Sequence, residues 1–183
     1  NGDEDILFLP SSYRRAIKYG QKDSANEILR TEVLSRLERK VPVTVVSYPE
    51  ALAEKVVSPK TLSDKTLCLK VGQQIETDKI AEELVGYGFE HVDYVYEPGQ
   101  FATRGSIVDV YSYASEYPYR IDFFGDEIDS IRTFEVDTQL SKEKKESINI
   151  VPEMAQTDGC DIFFLEFLTK DSIIWVKDLL CVR

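Results

Sequence analysis

The chain has 183 residues, 43% of them hydrophobic, which is enough for a buried core and for one domain or two small ones. Thirty-three acidic against 22 basic side chains leave a formal net charge of -11, so the chain as a whole repels the phosphate backbone on which nonspecific nucleic-acid affinity depends. Cys68, Cys160 and Cys181 form no C-x-x-C pair, no disulfide framework or zinc site is readable, and no apolar run approaches the ~18 residues of a membrane span.

Ile6-Leu7-Phe8-Leu9, closed by Pro10, reads as a short buried strand, and Ser24 with Glu27 forms a capping box ahead of Ile28, Leu29, Val33, Leu34 and Leu37, an amphipathic helix. Val43-Thr44-Val45-Val46 is a second strand, and Pro49-Glu50 opens a second short helix ending at Ala53 or Val56. Strand alternating with helix predicts a parallel α/β layer. Pro59, Lys60, Ser63, Asp64 and Lys65 make a polar break, and a domain boundary is placed there, giving a first segment over 1–66.

From residue 67 the pattern changes. A strand over 67–71 ends at Gly72, and a helix over 77–85 puts Ile80 and Leu84 on its buried side. Strands are then expected over 91–96, 100–113, 119–124 and 127–136, punctuated by Pro98-Gly99, Pro118 and Gly125-Asp126. A small antiparallel sheet with one covering helix, an α+β domain over 67–151, is the simplest architecture. The run Ser141-Lys142-Glu143-Lys144-Lys145-Glu146 is mixed in sign and reads as a solvated turn or face. Beyond Pro152, Ile162-Phe163-Phe164-Leu165 and Ser172-Ile173-Ile174-Trp175-Val176 are apolar again; the second suits a central parallel strand, so 152–183 is expected to return to the first α/β layer. The middle domain is then an insertion. A start without methionine and an end just after an apolar stretch point to a piece of a longer chain.

Catalytic chemistry is hard to place on these residues. No G-x-x-x-x-G-K-[ST] loop occurs; Gly20-Gln21-Lys22-Asp23 has one glycine and no hydroxyl after its lysine, and Lys177-Asp178 offers a single acid after an apolar run. His91 is the one histidine, which removes multi-histidine metal sites and leaves a triad nothing else to build on; a strand-edge role is expected for it. Asp126, Glu127 and Asp129 belong to a hairpin turn and its exit. No cofactor and no metal are expected.

Tyr119-Arg120-Ile121-Asp122-Phe123-Phe124 is the informative stretch. Period-2 alternation puts Tyr119, Ile121 and Phe123 on one face and Arg120, Asp122 and Phe124 on the other. A plain solvent face gains nothing from phenylalanine, and arginine beside an aromatic ring is the composition of interface hot spots. The competing reading is that Phe124 packs on a neighbouring loop while Arg120 pairs with Asp122.

Gln100-Phe101-Ala102-Thr103-Arg104-Gly105-Ser106-Ile107-Val108-Asp109-Val110, followed by the segment from Pro118-Tyr119-Arg120 through Phe123-Phe124-Gly125-Asp126-Glu127-Ile128 to Arg132-Thr133-Phe134, resembles the UvrB-like second domain of bacterial transcription-repair coupling factors. Asp137-Thr138-Gln139 and Ser141 match the coupling factors better than UvrB itself; Leu140, where the family often has a basic residue, and Tyr111-Ser112-Tyr113, in place of an aromatic-proline strand end, depart from the pattern. The resemblance implies a binding module without catalysis of its own, which recruits UvrA, the damage-recognition ATPase of nucleotide excision repair, to stalled RNA polymerase in the bacterial cytoplasm. The family's two arginines and one phenylalanine that contact UvrA fall on Arg104, Arg120 and Phe124.

The resemblance also implies that the flanking α/β segments are a degenerate helicase-like layer that has lost its nucleotide loop. RNA polymerase and double-stranded DNA would be bound by other domains of a longer protein, an ATP-dependent translocase, one of whose domains masks the patch. The fragment is expected to be monomeric. Gly105 permits a bulge or a positive φ that re-aims Arg104 toward Arg120 and Phe124. Arg132 on the next strand either adds charge to the patch or, the favoured role, forms an ion pair within the domain. Three alternatives stay open: a UvrB-type fragment, a nucleotide-hydrolysing α/β enzyme, and a direct DNA reader using Arg104, Arg120 and Arg132.

Overall fold

The computed structural model describes residues 6–12, 24–154 and 162–176, and the chain divides into two compact units, Asn1–Asp64 with Met154–Arg183, and Lys65–Glu153. In the first unit β1 (Ile6–Leu9) pairs in parallel with β2 (Thr44–Ser47), in register from Ile6↔Thr44 to Leu9↔Ser47, and α1 (Ser24–Glu38) lies between them in sequence. Parallel partners need such a crossover, and the expected α/β alternation is present. Leu7 and Leu9 point inward, as do Val33 and Leu34 of α1, while Leu29 is exposed. The buried row of α1 is partly polar, because Arg30 donates to the Pro10 carbonyl at 2.7 Å and pairs with Glu54 at 3.3 Å. The Ser24 side chain of the expected capping box lies outside the described residues, as do Gly20-Gln21-Lys22-Asp23, Lys177-Asp178, Cys160 and Cys181.

After α2 (Pro49–Leu52) and β3 (Lys55–Val56), the expected polar break is a short helix, α3 (Pro59–Asp64). Ser58 Oγ accepts from the Thr61 N–H at 3.2 Å, Pro59 begins the first turn, and Leu62 is buried, so a cap-proline pair starts a helix where composition suggested a loop.

The second unit begins with β4 (Leu67–Lys70) and α4 (Thr77–Gly86), whose Ile80 and Leu84 are fully buried as their spacing predicts. Six further strands follow: β5 (Glu90–His91), β6 (Gln100–Arg104), β7 (Ile107–Val110), β8 (Tyr119–Phe124), β9 (Glu127–Phe134) and β10 (Ser141–Lys145), then β11 (Ser147–Ile150). The sheet order is β10-β9-β8-β7-β6-β5, antiparallel except for β5 beside β6, and β11 pairs separately with β4. One face of the sheet carries Phe101, Val108, Val110, Ile121, Phe123, Ile128 and Ile131 into a core completed by α4 and by Leu67, Leu69, Ile148 and Ile150. This is a small α+β domain.

Three expectations for this unit change. The single strand over 100–113 is a hairpin, because Gly105 at φ +59° opens a two-residue turn with Ser106 between Arg104 and Ile107; the positive φ is present, as a turn and not a bulge. The strand over 91–96 stops at His91. The charged run from Ser141 is solvated as expected, but as the edge strand β10, where charged side chains discourage edge-to-edge pairing.

In the first unit the chain returns through β12 (Ile162–Phe163), antiparallel to β3, and α5 (Phe164–Phe167), with Phe164 and Phe167 buried. The central strand expected over Ser172 to Val176 is absent: this segment has no regular structure, and Trp175 is 91% exposed. An apolar β-branched run becomes a central strand only when neighbours cover both of its faces, and among the described residues none does.

Candidate protein-docking face

The sheet face opposite the core is built by cross-strand register. Arg104 opposes Ile107, and Ile107 opposes Asp122; in the next row Asp109 opposes Arg120, and Arg120 opposes Arg132. Residues directly opposite project to the same side, so Arg104, Asp109, Arg120, Asp122, Arg132 and Phe124 share one face. Phe124 sits at the β8–β9 turn, about 13 Å along the strand from Arg120, where Gly125 at φ +62° opens the two-residue turn that Gly125-Asp126 predicts.

Asp109 is the centre of this face, with its side chain only 1% exposed. Arg120 grips it through two bonds, Nε to Oδ1 at 2.7 Å and Nη2 to Oδ2 at 2.8 Å, and Arg104 donates Nη2 to the same Oδ2. Two arginines from two strands thus converge on one carboxylate. Arg120 is further fixed by Gln139 Oε1, which accepts from Nη2 at 3.0 Å, and by the Phe134 ring, 4.3 Å beneath its guanidinium. Gln139 adopts φ +59°, and its Nε2 donates to the Val136 carbonyl at 2.8 Å, which turns Oε1 toward the arginine. Hydrogen bonding to Asp109 raises the Arg120 pKa above its already high value, and the charges of Asp109 and Asp122 add to this against partial burial, which lowers it. Arg104 lies 4.9 Å from the Tyr94 ring centroid and is 35% exposed, against 17% for Arg120.

Arg132 pairs with Asp122, which also accepts from Ser130 Oγ at 3.0 Å, so the ion pair favoured for Arg132 is present, while Arg120 pairs with Asp109 and not with Asp122. Arg132 Nε is buried without a hydrogen-bond partner. Phe124 is 85% exposed and packs on no loop that covers it. The ring faces outward and the two cations converge. Sequence reasoning gave no role to Asp109, Gln139, Tyr94 and Phe134; Asp109, Phe134 and Gln139 lie in the family-like stretches, but those stretches did not reveal that all three meet Arg120.

Elsewhere in this unit, His91 Nε2 and Thr103 Oγ1 are 3.1 Å apart at the β5 edge, beside an open groove of about 360 Å³ lined by Ala81, Glu82, Val85, Phe101 and the same two residues. No cluster of metal-ligating side chains occurs among the described residues, and no helix among them is long and apolar enough to cross a membrane.

The sheet that carries this face coincides with a known sequence family. Residues 67–155 match the family described as the UvrB interaction domain. They belong to it. Over longer stretches the chain is similar to the transcription-repair-coupling factor of Escherichia coli, 40% identical over 119 residues, which is 65% of this chain and 10% of that protein. It is similar to the transcription-repair-coupling factor of Bacillus subtilis, 40% identical over 150 residues, 82% of this chain and 13% of that protein. UvrABC system protein B of Lactococcus lactis is 36% identical over 135 residues, 70% of this chain and 19% of that protein. The chain therefore spans between a tenth and a fifth of the length of these relatives. Within the UvrB interaction domain, β6 to β9 position every residue of the docking face named above except Tyr94 and Gln139, which reach it from loops.

Proposed function

We propose that the UvrB interaction domain of this chain docks UvrA through Arg104, Arg120 and Phe124, with Arg132 at the margin. In this reading residues 67–151 are an interaction domain set into a degenerate helicase-like α/β layer formed by 1–66 and 152–183. The whole protein is a transcription-repair coupling factor that brings UvrA to stalled RNA polymerase for nucleotide excision repair in the bacterial cytoplasm, using other domains for polymerase and DNA. The observation that carries it is the outward Phe124 ring on the same sheet face as two guanidiniums held by one buried carboxylate. A planar cation and an exposed ring are what an acidic protein surface with an apolar pocket would recognise.

Two features favour this over the alternatives. The chain carries a formal net charge of -11, which opposes a phosphate backbone and speaks against direct DNA reading. Directly after β1, where a nucleotide loop would present its N–H groups to phosphate, the Ser11 N–H donates to Tyr48 Oη at 2.7 Å and the Ser12 N–H to Glu54 Oε2 at 3.0 Å, so these donors are already satisfied. The second feature favours a role without ATP hydrolysis.

The test is retention of purified UvrA by the native chain and by Arg104→Ala, Arg120→Ala and Phe124→Ala. Hot-spot truncation of each should cost about 2 kcal/mol, roughly thirtyfold in affinity. Native-like retention by all three variants, with circular dichroism unchanged, refutes the assignment.

A further inference from the structure

We propose that Asp109 is the positioning residue of the docking face, a buried carboxylate that makes Arg104 and Arg120 act as one preorganised binding unit. The inference rests on the UvrA-docking reading and adds to it a residue that touches no partner. Asp109 is enclosed by the sheet and by the two arginines, its side chain 1% exposed, so a partner meets the guanidiniums and not the acid.

The geometry explains why this acid matters more than its charge. Arginine side chains lose several rotamers when a partner immobilises them, a loss of affinity at every surface where they are free beforehand. Here the loss is incurred on folding. Asp109 Oδ1 and Oδ2 receive Arg120 in the planar two-bond arrangement, and Oδ2 receives Arg104 as well. Phe134 and Gln139 close the remaining sides of Arg120, and Tyr94 lies beside Arg104. Arg120 Nη1 makes no hydrogen bond among the described residues, and Arg104 Nη1 reaches the Asp93 carbonyl only at 3.4 Å, so both side chains keep donors for an incoming carboxylate.

Charge and position predict opposite signs. Asp109→Asn leaves the side-chain shape but removes a negative charge, raising the net positive charge of the face. Were attraction to an acidic surface all that mattered, the variant would bind UvrA more tightly. If position matters, the guanidiniums become mobile, and affinity falls about tenfold, most of it in a faster off-rate.

The experiment measures UvrA binding kinetics for the native 183-residue chain and for Asp109→Asn, Arg120→Lys, Arg120→Ala, Arg104→Ala and Phe124→Ala. The Arg120 Nε–H resonance is followed by NMR. Arg120→Lys keeps the charge and loses the two-bond grip, and is expected to bind nearly as weakly as Arg120→Ala; it also stands in should Asp109→Asn fail to fold. A slowly exchanging Arg120 Nε–H signal is expected in the native chain and is expected to be lost in Asp109→Asn. Native or tighter binding by Asp109→Asn, or native binding by Arg120→Lys, overturns the positioning role while leaving the docking reading intact. Native binding by Arg104→Ala, Arg120→Ala and Phe124→Ala alike sinks the docking reading and this inference with it.

Discussion

Among the described large apolar side chains of the Lys65–Glu153 unit, none is as exposed as Phe124, at 85%. Full burial of such a ring is worth about 2 to 3 kcal/mol, and folding of this unit gains almost none of it. The ring can therefore be removed at little cost to the fold, while its removal should be felt in binding. Phe124→Ala is expected to leave the melting temperature within about 4 °C of native, because exposed substitutions stay within about 0.5 kcal/mol. The neighbouring Phe123→Ala should lower it sharply, since that ring lies in the core. Thermal unfolding of the two variants side by side checks this; a large destabilisation by Phe124→Ala would mean that the ring supports the fold rather than a partner.

At the scale of elements, β8 to β10 place like charges directly across from one another: Arg120 opposes Arg132, and Arg132 opposes Lys144. Such pairs destabilise a sheet; Asp109 and Asp122 offset the charges of Arg120 and Arg132, while Lys144 has no ion pair among the described residues. Lys144→Glu should remove the repulsion and form a cross-strand pair, raising stability by about 0.5 kcal/mol, while weakening UvrA binding threefold or more as the face loses positive charge. Chemical denaturation and a binding titration on the same variant give the two signs; a stabilised variant with tighter binding would show that the cation row serves no acidic partner. These elements also show what the sequence made legible. The Tyr119–Phe124 alternation was readable because a strand's period is local, and the Gly125-Asp126 turn because its residues name its geometry. The Gly105-Ser106 turn was hidden inside a continuous β-forming run, in which one glycine fits a bulge or a turn equally well. Ser112, whose departure from the family pattern left the strand end open, is buried and accepts from the Val151 N–H at 2.9 Å, a tie between segments 39 residues apart that no local pattern encodes. Asp109 was invisible as a hub for the same reason: its bonds to Arg120 cross 11 residues and depend on register.

At the scale of the molecule, the two units differ in how completely each is enclosed. Every member of the core formed by α4, the β4–β11 ribbon and the six-stranded sheet lies between Leu67 and Ile150. The ends of that segment meet, because Leu67 pairs with Ile150 across β4 and β11. A segment with its own core and adjacent ends satisfies the physical requirements for independent folding. The first unit is different: its two-stranded parallel sheet leaves Ile6, Phe8 and Val46 exposed, and Ile173, Ile174 and Trp175 have no cover among the described residues. Parallel sheets are stable with both faces covered. Residues 65–153 expressed alone are therefore expected to unfold in one cooperative transition and to bind UvrA within about twofold of the 183-residue chain, since every residue of the docking face lies inside them. Residues 1–64 alone should be aggregation-prone. Calorimetry of both segments and a UvrA titration of the first decide the matter: a 65–153 segment without a cooperative transition would mean that its core depends on the flanking unit. A cooperative segment that binds UvrA more than tenfold more weakly would place part of the docking surface outside the UvrB interaction domain.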